Sequence, residues 1–274
     1  MARTVSWFSC GAASAVATKL ALARGPVDIV YCRVEEEHPD NLRFLKDCED
    51  WYGQSITILR NEKYKGSIYE VFKQTRFLVG PGGARCTKEL KKSLREEYQR
   101  HDDVHVFGYT VEEQGRADRF IDANNEVDAI FPLIDAGLTK PDCLAMLENA
   151  GIELPTMYRL GYHNNNCTGC VKAVQAEYWV KIKQDFPDMF YRMNAAEKML
   201  GRSVVKIGMK RVKKQWPDIY EKLGSPELVN DNGNETHWRP QLDEIPSDVI
   251  AMDNSPDIQC GIFCQIAEGE YNEA

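Results

Sequence analysis

The sequence lacks any apolar run that approaches the roughly 18 residues needed for a membrane-spanning helix. Its opening, MARTVSWFSC, also lacks the charged segment and the long apolar segment of a secretory signal peptide. No internal repeat and no low-complexity tract is present. These absences predict a cytoplasmic protein without a membrane partner. Because thiols stay reduced in that compartment, the nine cysteines should not form a disulfide framework, and some become candidates for metal binding or chemistry.

An excess of positive charge is missing too. The chain has 34 Lys and Arg against 42 Asp and Glu, which gives a formal net charge of −8. This charge argues against a protein that coats nucleic acid through a broad phosphate-binding surface, but it leaves room for a small basic pocket. With 43% hydrophobic and 28% charged residues, the composition is that of a globular protein with an ordinary core.

Strands alternate with helices in the first half of the chain. Apolar runs rich in β-branched and aromatic residues predict strands at residues 4–9, 27–32, 55–59, 104–109 and 129–133. Helical periodicity predicts helices between them, at residues 12–24, 41–51, 67–76 and 87–100. Strands separated by helices imply an α/β fold, with a doubly wound, mostly parallel sheet covered on both faces.

Three segments are expected along the chain. The alternating pattern occupies residues 1–140 and predicts the α/β domain. Residues 141–224 have a helical pattern, with helices predicted at 171–185 and 188–200, and they carry a CxxC loop. Residues 225–274 are rich in Pro, Asn, Asp and Gly, which predicts an extended C-terminal arm.

Small residues fill the first strand-to-helix turn, SCGAAS. In doubly wound sheets, ligands bind beyond the carboxyl ends of the strands, where loops lead into helix N-termini. Ser9, Gly11 and Ser14 would let backbone N–H groups approach an anion there, and the helix dipole would favour its negative charge. Small residues at a tight turn also serve packing alone, so other motifs must decide between the two interpretations.

The same turn resembles the SGGxDS phosphate loop of the adenine nucleotide alpha hydrolase superfamily, with Ser9, Gly11 and Ser14 on matching positions. Cys10 replaces a glycine of that loop. Ala13 replaces the aspartate that, in the ATP pyrophosphatase members, is associated with magnesium and the triphosphate. The loss of this aspartate argues against ATP cleavage. A branch of the superfamily that tolerates this loss resembles the phosphoadenosine phosphosulfate (PAPS) reductases, which bind a nucleotide without splitting a triphosphate.

Three further segments resemble the PAPS reductase family. EEEHPDN at residues 35–41 resembles its acidic-Pro segment, and RCTKELKK at 85–92 resembles its cysteine-bearing basic motif. QCGIFC at 259–264 resembles its C-terminal ECGLH element. In LPTMYRLGYHNNNCTGCVK the chain looks closest to the PAPS reductase-like proteins common in bacteriophage genomes. Together the matches cover residues 5 to 264.

This resemblance implies an adenine nucleotide, PAPS, adenylyl sulfate (APS) or ATP, bound across the strand ends. Lys88 and Lys91 follow Cys86 at helical spacing, where they would neutralise a sulfate or phosphate and lower the pKa of a thiol, unless that helix face is merely solvated. Arg116 and Arg119 would likewise be phosphate ligands or an exposed helix pair. The residues expected at the nucleotide are Ser9, Cys10, Gly11, Ala12, Ser14, Glu37, Lys91, Gly108, Arg116, Arg119 and Arg159.

The CxxC of NNNCTGCVK lies in a polar loop rich in asparagine. Gly169 permits the tight turn in which the thiolates of Cys167 and Cys170 converge on one metal, whereas a redox dithiol is the alternative interpretation. A CxxC supplies only two ligands. The candidates for the others are Cys86, Cys260 and Cys264.

Two ligand arrangements stay open. Cys86 matches one member of the upstream cysteine pair of adenylyl sulfate reductases, which implies a 4Fe-4S cluster; Cys264 would then supply the missing ligand and Cys260 would occupy the position of the reductases' nucleophile. Alternatively, Cys260 and Cys264 join the CxxC in a closed site of four thiolates, and Cys86 remains free. Four thiolates also suit structural zinc.

Three functions follow. The first is a PAPS/APS reductase-like oxidoreductase, with Cys260 as nucleophile, Cys86 and Lys88 as further catalytic candidates, and a thiol donor such as thioredoxin as partner. The second is an ATP-dependent iron-sulfur sulfurtransferase that modifies tRNA or DNA and would bind nucleic acid. The third is a non-catalytic nucleotide-binding module with structural zinc.

Overall fold

The computed structural model describes residues 2–80 and 83–253. The described chain divides into two units, of which the first contains residues 2–67 and 89–167 and the second contains residues 68–88 and 168–253. The segment boundaries expected after residues 140 and 224 stay predictions. Across the described residues, no helix has the length and the apolar character needed to cross a membrane.

The strands of the described chain are β1 (Thr4–Phe8), β2 (Asp28–Cys32), β3 (Thr57–Leu59), β4 (Val79–Gly80), β5 (Gly83–Ala84), β6 (Val104–Val106), β7 (Asp128–Ile130), β8 (Ile207–Gly208) and β9 (His237–Trp238). The helices are α1 (Ala12–Leu22), α2 (Asn41–Tyr52), α3 (Ile68–Thr75), α4 (Arg85–Thr87), α5 (Ser93–Tyr98), α6 (Gln114–Ala123), α7 (Pro132–Asp135), α8 (Lys140–Asn149), α9 (Thr156–Arg159), α10 (Ala176–Asp185), α11 (Pro187–Leu200), α12 (Met209–Gln215) and α13 (Pro217–Lys222). Short 3-10 turns lie at Glu62–Tyr64, Val111–Glu113 and Leu242–Glu244, and a π-helical turn lies at Lys88–Lys92.

The first unit contains one parallel sheet with the strand order β3-β2-β1-β6-β7. Alternate residues of β1 point to opposite faces. The hydroxyl of Ser6 bonds to that of Thr18 on α1 at 2.8 Å, whereas Trp7 meets Tyr98 of α5 edge-on, with ring centres 6.0 Å apart. Helices therefore cover both faces, and the predicted α/β fold with a mostly parallel sheet is confirmed.

The core of the first unit lies between the sheet and α1. This helix is rich in alanine, and Ala15 and Val16 are fully buried, so the helix backbone lies close to its neighbours. Helix α8 contributes Leu147 and Cys143 to the same core. Each fully buried Val or Leu side chain contributes roughly 1.5–3 kcal/mol through the apolar surface it removes from water. The core thus fixes α1 against the sheet.

Some predicted boundaries were wrong. The strand predicted at 129–133 ends at Ile130, because Pro132 has no N–H to donate to a ladder and instead occupies the first turn of α7. The helix predicted from residue 171 begins at Ala176. The helix predicted at 87–100 is interrupted by the π-helical turn at Lys88–Lys92.

The second unit is mainly helical. Helices α10 and α11 are neighbours, and Trp179 and Ile182 of α10 and Met193 of α11 are fully buried. Strands β8 and β9 form a short antiparallel pair, and α12 packs against both. The described part of the C-terminal segment is largely irregular apart from β9 and the Leu242–Glu244 turn.

Glu197 of α11 is fully buried in this unit and ties the helix to two loops. Its carboxylate accepts the N–H of Val204 at 2.7 Å and the N–H of Leu242 at 2.8 Å. Burial raises the pKa of Glu197 to about 7, although the two N–H bonds act in the opposite direction.

We predict that this carboxyl makes stability fall as pH rises. Unfolded Glu has a pKa of about 4.3, so between about pH 4 and 7 the folded chain binds a proton that the unfolded chain has released. Because glutamine cannot titrate, Glu197→Gln should abolish a fall of on the order of 2 kcal/mol in the free energy of unfolding between about pH 5 and 8. Urea unfolding from about pH 5 to 8 measures it. The control Glu177→Gln should keep the wild-type slope, and an unchanged slope in Glu197→Gln would contradict the assignment.

Candidate functional site

The order of the strands reverses beside β1. The chain places β2 and β3 on one side of β1 and later places β6 and β7 on the other. The loops that follow β1 and β6 therefore lead away in different directions from the carboxyl ends of the strands. In doubly wound sheets this reversal opens the crevice where ligands bind. The SCGAAS turn follows β1 at this point.

Helix α1 begins at this crevice without a capping side chain. Gly11 is its N-cap residue, and its first turn contains no acidic residue. The first N–H groups of a helix have no acceptor within the helix, and the helix dipole favours negative charge there. The turn can therefore accommodate a phosphate or sulfate.

The two predicted serine ligands are bonded to each other. Ser14 Oγ accepts hydrogen bonds from the N–H and the hydroxyl of Ser9, both at 3.0 Å, and donates to the carbonyl of Gly11 at 2.9 Å. Ser9 is exposed and Ser14 is buried. The hydroxyl of Ser14 thus holds the shape of the turn, whereas that of Ser9 lies at its open side.

Gly108 lies two residues beyond β6 and touches the start of α1. A Cβ atom at this position would be 2.7 Å from both Cα and N of Ser14 and 2.9 Å from the carbonyl carbon of Ala13. These are backbone atoms that cannot swing aside. The absence of a side chain at Gly108 therefore allows the end of β6 to lie directly against the turn.

Tyr158 holds the turn from another side and was missed by sequence reasoning. Its hydroxyl accepts the N–H of Ala12 at 3.3 Å. Burial raises the pKa of Tyr158 to about 12, so the hydroxyl keeps its proton at neutral pH. The residue lies in the LPTMYRLGYH stretch that supports the family resemblance, but no pattern within that stretch distinguishes it from its neighbours.

Lys140, at the start of α8, adds a cation that sequence reasoning also missed. Its Nζ lies 5.3 Å from the centre of the Tyr158 ring and donates to Asn164 Oδ1 at 2.7 Å and to the carbonyl of His163. Burial lowers the pKa of Lys140 to about 8. Lys140 thereby connects the side chain that holds the turn with the loop that leads to the CxxC.

Three predicted site residues, Glu37, Lys91 and Cys167, come together in the first unit. The backbones of Glu37 and Cys167 form an isolated antiparallel bridge, and Lys91 Nζ lies 2.8 Å from Glu37 Oε1. Burial opposes the charge of Lys91, but the charges of Glu37 and of Cys167 outweigh it and raise the pKa of the ammonium. The Tyr31 hydroxyl also donates to Glu37. Glu37 is thus a buried anchor for the Cys167 loop.

Cys10 is a core residue rather than an exposed thiol. It is fully buried, and burial together with the charge of Glu37 raises the pKa of its thiol well above the usual value. The whole residue is shielded from solvent, and its carbonyl accepts Asn165 Nδ2 at 2.5 Å. Asn165 also donates to Asn41 Oδ1 at 2.8 Å, which links the asparagine-rich loop to α2.

A protein-family match covers more than half of the chain. Residues 3–176 match the family model described as phosphoadenosine phosphosulfate reductase domain. The chain belongs to this family. Among solved structures, U34-tRNA thiolase NcsA from Methanococcus maripaludis with its 4Fe-4S cluster is similar, with 12% identity and a TM-score of 0.39 over 93% of this chain and 84% of that chain. No curated protein matches.

Three arginines expected at the nucleotide of this PAPS reductase domain differ in their surroundings. Arg116 pairs with Glu113 at 2.6 Å and lies over the ring of Tyr109. Arg159 pairs with Glu153 at 2.6 Å. Arg119 is exposed on α6. Arg116 and Arg159 would have to leave or share a carboxylate before they could bind an anion, so their nucleotide role stays a prediction.

The remaining sulfur-chemistry candidates of the PAPS reductase domain lie apart in the chain. Cys167 is the last described residue of the first unit, whereas Cys86, Lys88 and Cys170 belong to the second unit. The Tyr178 hydroxyl accepts the N–H of Cys170 at 3.0 Å. Cys260 and Cys264 lie outside the described residues. Within the part of the chain that the structure describes, no three Cys, His, Asp or Glu side chains are grouped so that they could hold a metal ion.

We predict that Gly108→Ala weakens both stability and anion binding. The added methyl group must separate β6 from the Ser14 backbone, and overpacking of this kind costs roughly 1–3 kcal/mol. The matched control is Gly115→Ala, because a Cβ there meets only the Arg119 side chain at 3.6 Å and alanine favours a helix. Thermal unfolding and calorimetric titration with adenosine 3′,5′-bisphosphate measure the two effects. Equal behaviour of the two variants would refute the role of Gly108.

Proposed function

We propose that this protein is a PAPS/APS reductase-like enzyme that binds an adenine nucleotide in the crevice beside β1. The observation that carries the proposal is the uncapped start of α1, held at the strand reversal by Gly108 and Tyr158. The phosphate or sulfate of the nucleotide would lie on this turn. Membership of the PAPS reductase domain family supports the adenine nucleotide as ligand. The specific likeness to bacteriophage proteins stays a prediction.

The proposed reaction is a two-electron reduction of sulfate sulfur by thiols. A thiolate attacks the sulfur, an S–S bond forms, and the S–O bond to the nucleotide phosphate breaks, with the electron pair leaving on the phosphate. A thiol of an external dithiol donor, such as thioredoxin, then attacks the cysteine sulfur. That step forms a disulfide, and sulfite leaves with the bonding pair. Cys260 is the proposed nucleophile, and Cys86 is the other candidate thiol. Lys88 would neutralise the sulfate or lower the pKa of a nearby thiol.

We further propose that the CxxC loop holds an iron-sulfur cluster. Thiolates are the ligands such clusters use. Gly169 takes a positive φ of 78°, and a Cβ atom there would lie 3.3 Å from the Trp179 ring, so the loop turns tightly at a position that suits glycine. Cys167 and Cys170 would be two ligands, and two of Cys86, Cys260 and Cys264 would complete the set. When bound, the cluster would supply fixed charge and electron-transfer capacity.

The alternative function, an ATP-dependent sulfurtransferase acting on tRNA or DNA, makes a different demand on the turn. It requires activation by ATP with magnesium, and Ala13 stands where the pyrophosphatases have an aspartate. The first turn of α1 therefore offers no carboxylate for magnesium. This feature favours the reductase.

We predict that Cys260→Ser abolishes sulfite release from PAPS or APS and leaves nucleotide affinity unchanged, because a hydroxyl is a far weaker nucleophile than a thiolate. The assay supplies reduced thioredoxin or a small dithiol. Cys143→Ala removes a thiol buried in the core and should retain turnover. Sulfite production by Cys260→Ser would reject its role as nucleophile, and pyrophosphate release from ATP with RNA would favour the sulfurtransferase.

Metal analysis tests the cluster independently of turnover. Protein purified without oxygen should contain iron and acid-labile sulfide in equal amounts, and Cys167→Ser and Cys170→Ser should lose both. Cys143→Ala should keep them. Loss in Cys86→Ser would favour the arrangement with Cys86 as a ligand, and retention would favour the closed site. Zinc without sulfide in the wild type would overturn the cluster proposal.

A further inference from the structure

Positive charge is concentrated in one stretch of the second unit. Residues 202–214, RSVVKIGMKRVKK, contain six Lys and Arg and no Asp or Glu, in a chain whose net charge is −8. The function proposed above makes no use of this stretch, because its nucleotide site lies in the first unit. A separate reason is needed for a basic segment in an acidic protein.

Helix α12 presents three of these cations on one exposed face. Met209 and Val212 are buried and fix the orientation of the helix. Lys210, Lys213 and Lys214 are exposed, and their spacing of three and four residues makes them neighbours on the helix surface. The helix thus offers a compact cluster of ammonium groups to solvent.

The strand pair beside α12 adds two more cations. Ile207 pairs with Trp238 and Gly208 with His237 in the antiparallel register. Lys206 directly precedes β8 and Arg239 directly follows β9, so the two residues lie at the same end of the strand pair, and both are exposed. We call Lys206, Lys210, Lys213, Lys214 and Arg239 the basic face. Like charges repel, so this arrangement does not stabilise the unit by itself.

Two acids lie nearby. Glu177 pairs with Arg211 at 2.5 Å, and Glu235 accepts the backbone N–H of Lys210 at 3.0 Å. Among the described residues, none of the five side-chain cations of the basic face forms an ion pair, and Lys213 Nζ lies 5.5 Å from the centre of the Tyr220 ring. The basic face therefore keeps its charge available to a partner.

We propose that the basic face binds a nucleic-acid strand through its phosphates. Four of its five cations are lysines, which bind phosphate as point charges, and their charges complement the closely spaced negative charges of a nucleic-acid backbone. A membrane-binding helix would expose apolar residues beside its lysines, but Met209 and Val212 face inward. RNA and DNA share the phosphodiester chemistry that this face would recognise. The inference does not rest on the proposed reductase function.

The test is the salt dependence of binding to a labelled single-stranded 20-mer of RNA, with DNA of the same sequence alongside. Five phosphate contacts predict a slope of about −3.5 in log Kobs against log salt, at about −0.7 per contact. The triple variant Lys210→Gln, Lys213→Gln, Lys214→Gln should reduce the slope by about 2 and weaken low-salt binding at least tenfold. Lys213→Gln alone should reduce the slope by about 0.7 and serves if the triple variant unfolds.

The matched control is Lys46→Gln, Lys63→Gln, Lys65→Gln, which changes three exposed lysines of the first unit and gives the same net charge. It should keep the wild-type slope. Equal slopes for the two triple variants, or no binding of either strand at 50 mM salt, would overturn the proposal. Binding of poly-glutamate or phosphatidylserine vesicles, rather than of nucleic acid, through the same lysines would also overturn it. Adenosine 3′,5′-bisphosphate affinity should be equal in both triples, which separates this result from failure of the nucleotide site.

Discussion

The close approach of Gly108 to the first turn of α1 is the constraint on which the candidate site depends. It brings the loops after β1 and β6 together at the strand reversal, at a distance that no side chain at residue 108 would allow. The turn continues into the buried, alanine-rich helix α1, and the Tyr158 hydroxyl accepts a hydrogen bond from the N–H of Ala12. The Gly108 contact is made by backbone atoms alone, whereas the Tyr158 contact joins a side-chain hydroxyl to a backbone N–H. An anion that binds there meets donors that are already in place.

A second set of contacts extends from this turn to the backbone of Cys167. The carbonyl of Cys10 accepts Asn165, Asn165 bonds to Asn41, and Asn41 Nδ2 donates to Glu37 Oε2 at 3.3 Å. Glu37 in turn bridges to the backbone of Cys167 and pairs with Lys91. The SCGAAS turn and the first cysteine of the CxxC thus belong to one polar network in the first unit. Buried hydrogen bonds of this kind favour one arrangement, since breaking them leaves polar groups without a partner.

The sequence was informative where the signal is local. Alternating apolar runs located the strands and hence the α/β architecture, and SCGAAS marked the turn between β1 and α1, because small residues between a strand and a helix are recognisable by themselves. Tyr158 and Lys140 could not be found this way, since Tyr158 meets Ala12 across 146 positions of sequence and its role depends on tertiary packing. Cys10 illustrates the converse. It is expected at the nucleotide because it lies in SCGAAS, but the fold buries its thiol, and burial together with the charge of Glu37 raises the pKa of that thiol.

Hydrogen exchange with mass spectrometry on the full chain, with and without saturating adenosine 3′,5′-bisphosphate, shows whether the SCGAAS turn binds a nucleotide. Bound nucleotide should slow exchange at the amides of residues 9–14 and around residue 108, and should cause little change at the basic face of the second unit. Binding without protection of the SCGAAS turn, or no binding at millimolar ligand, would contradict the claim that the strand reversal beside β1 is a nucleotide site.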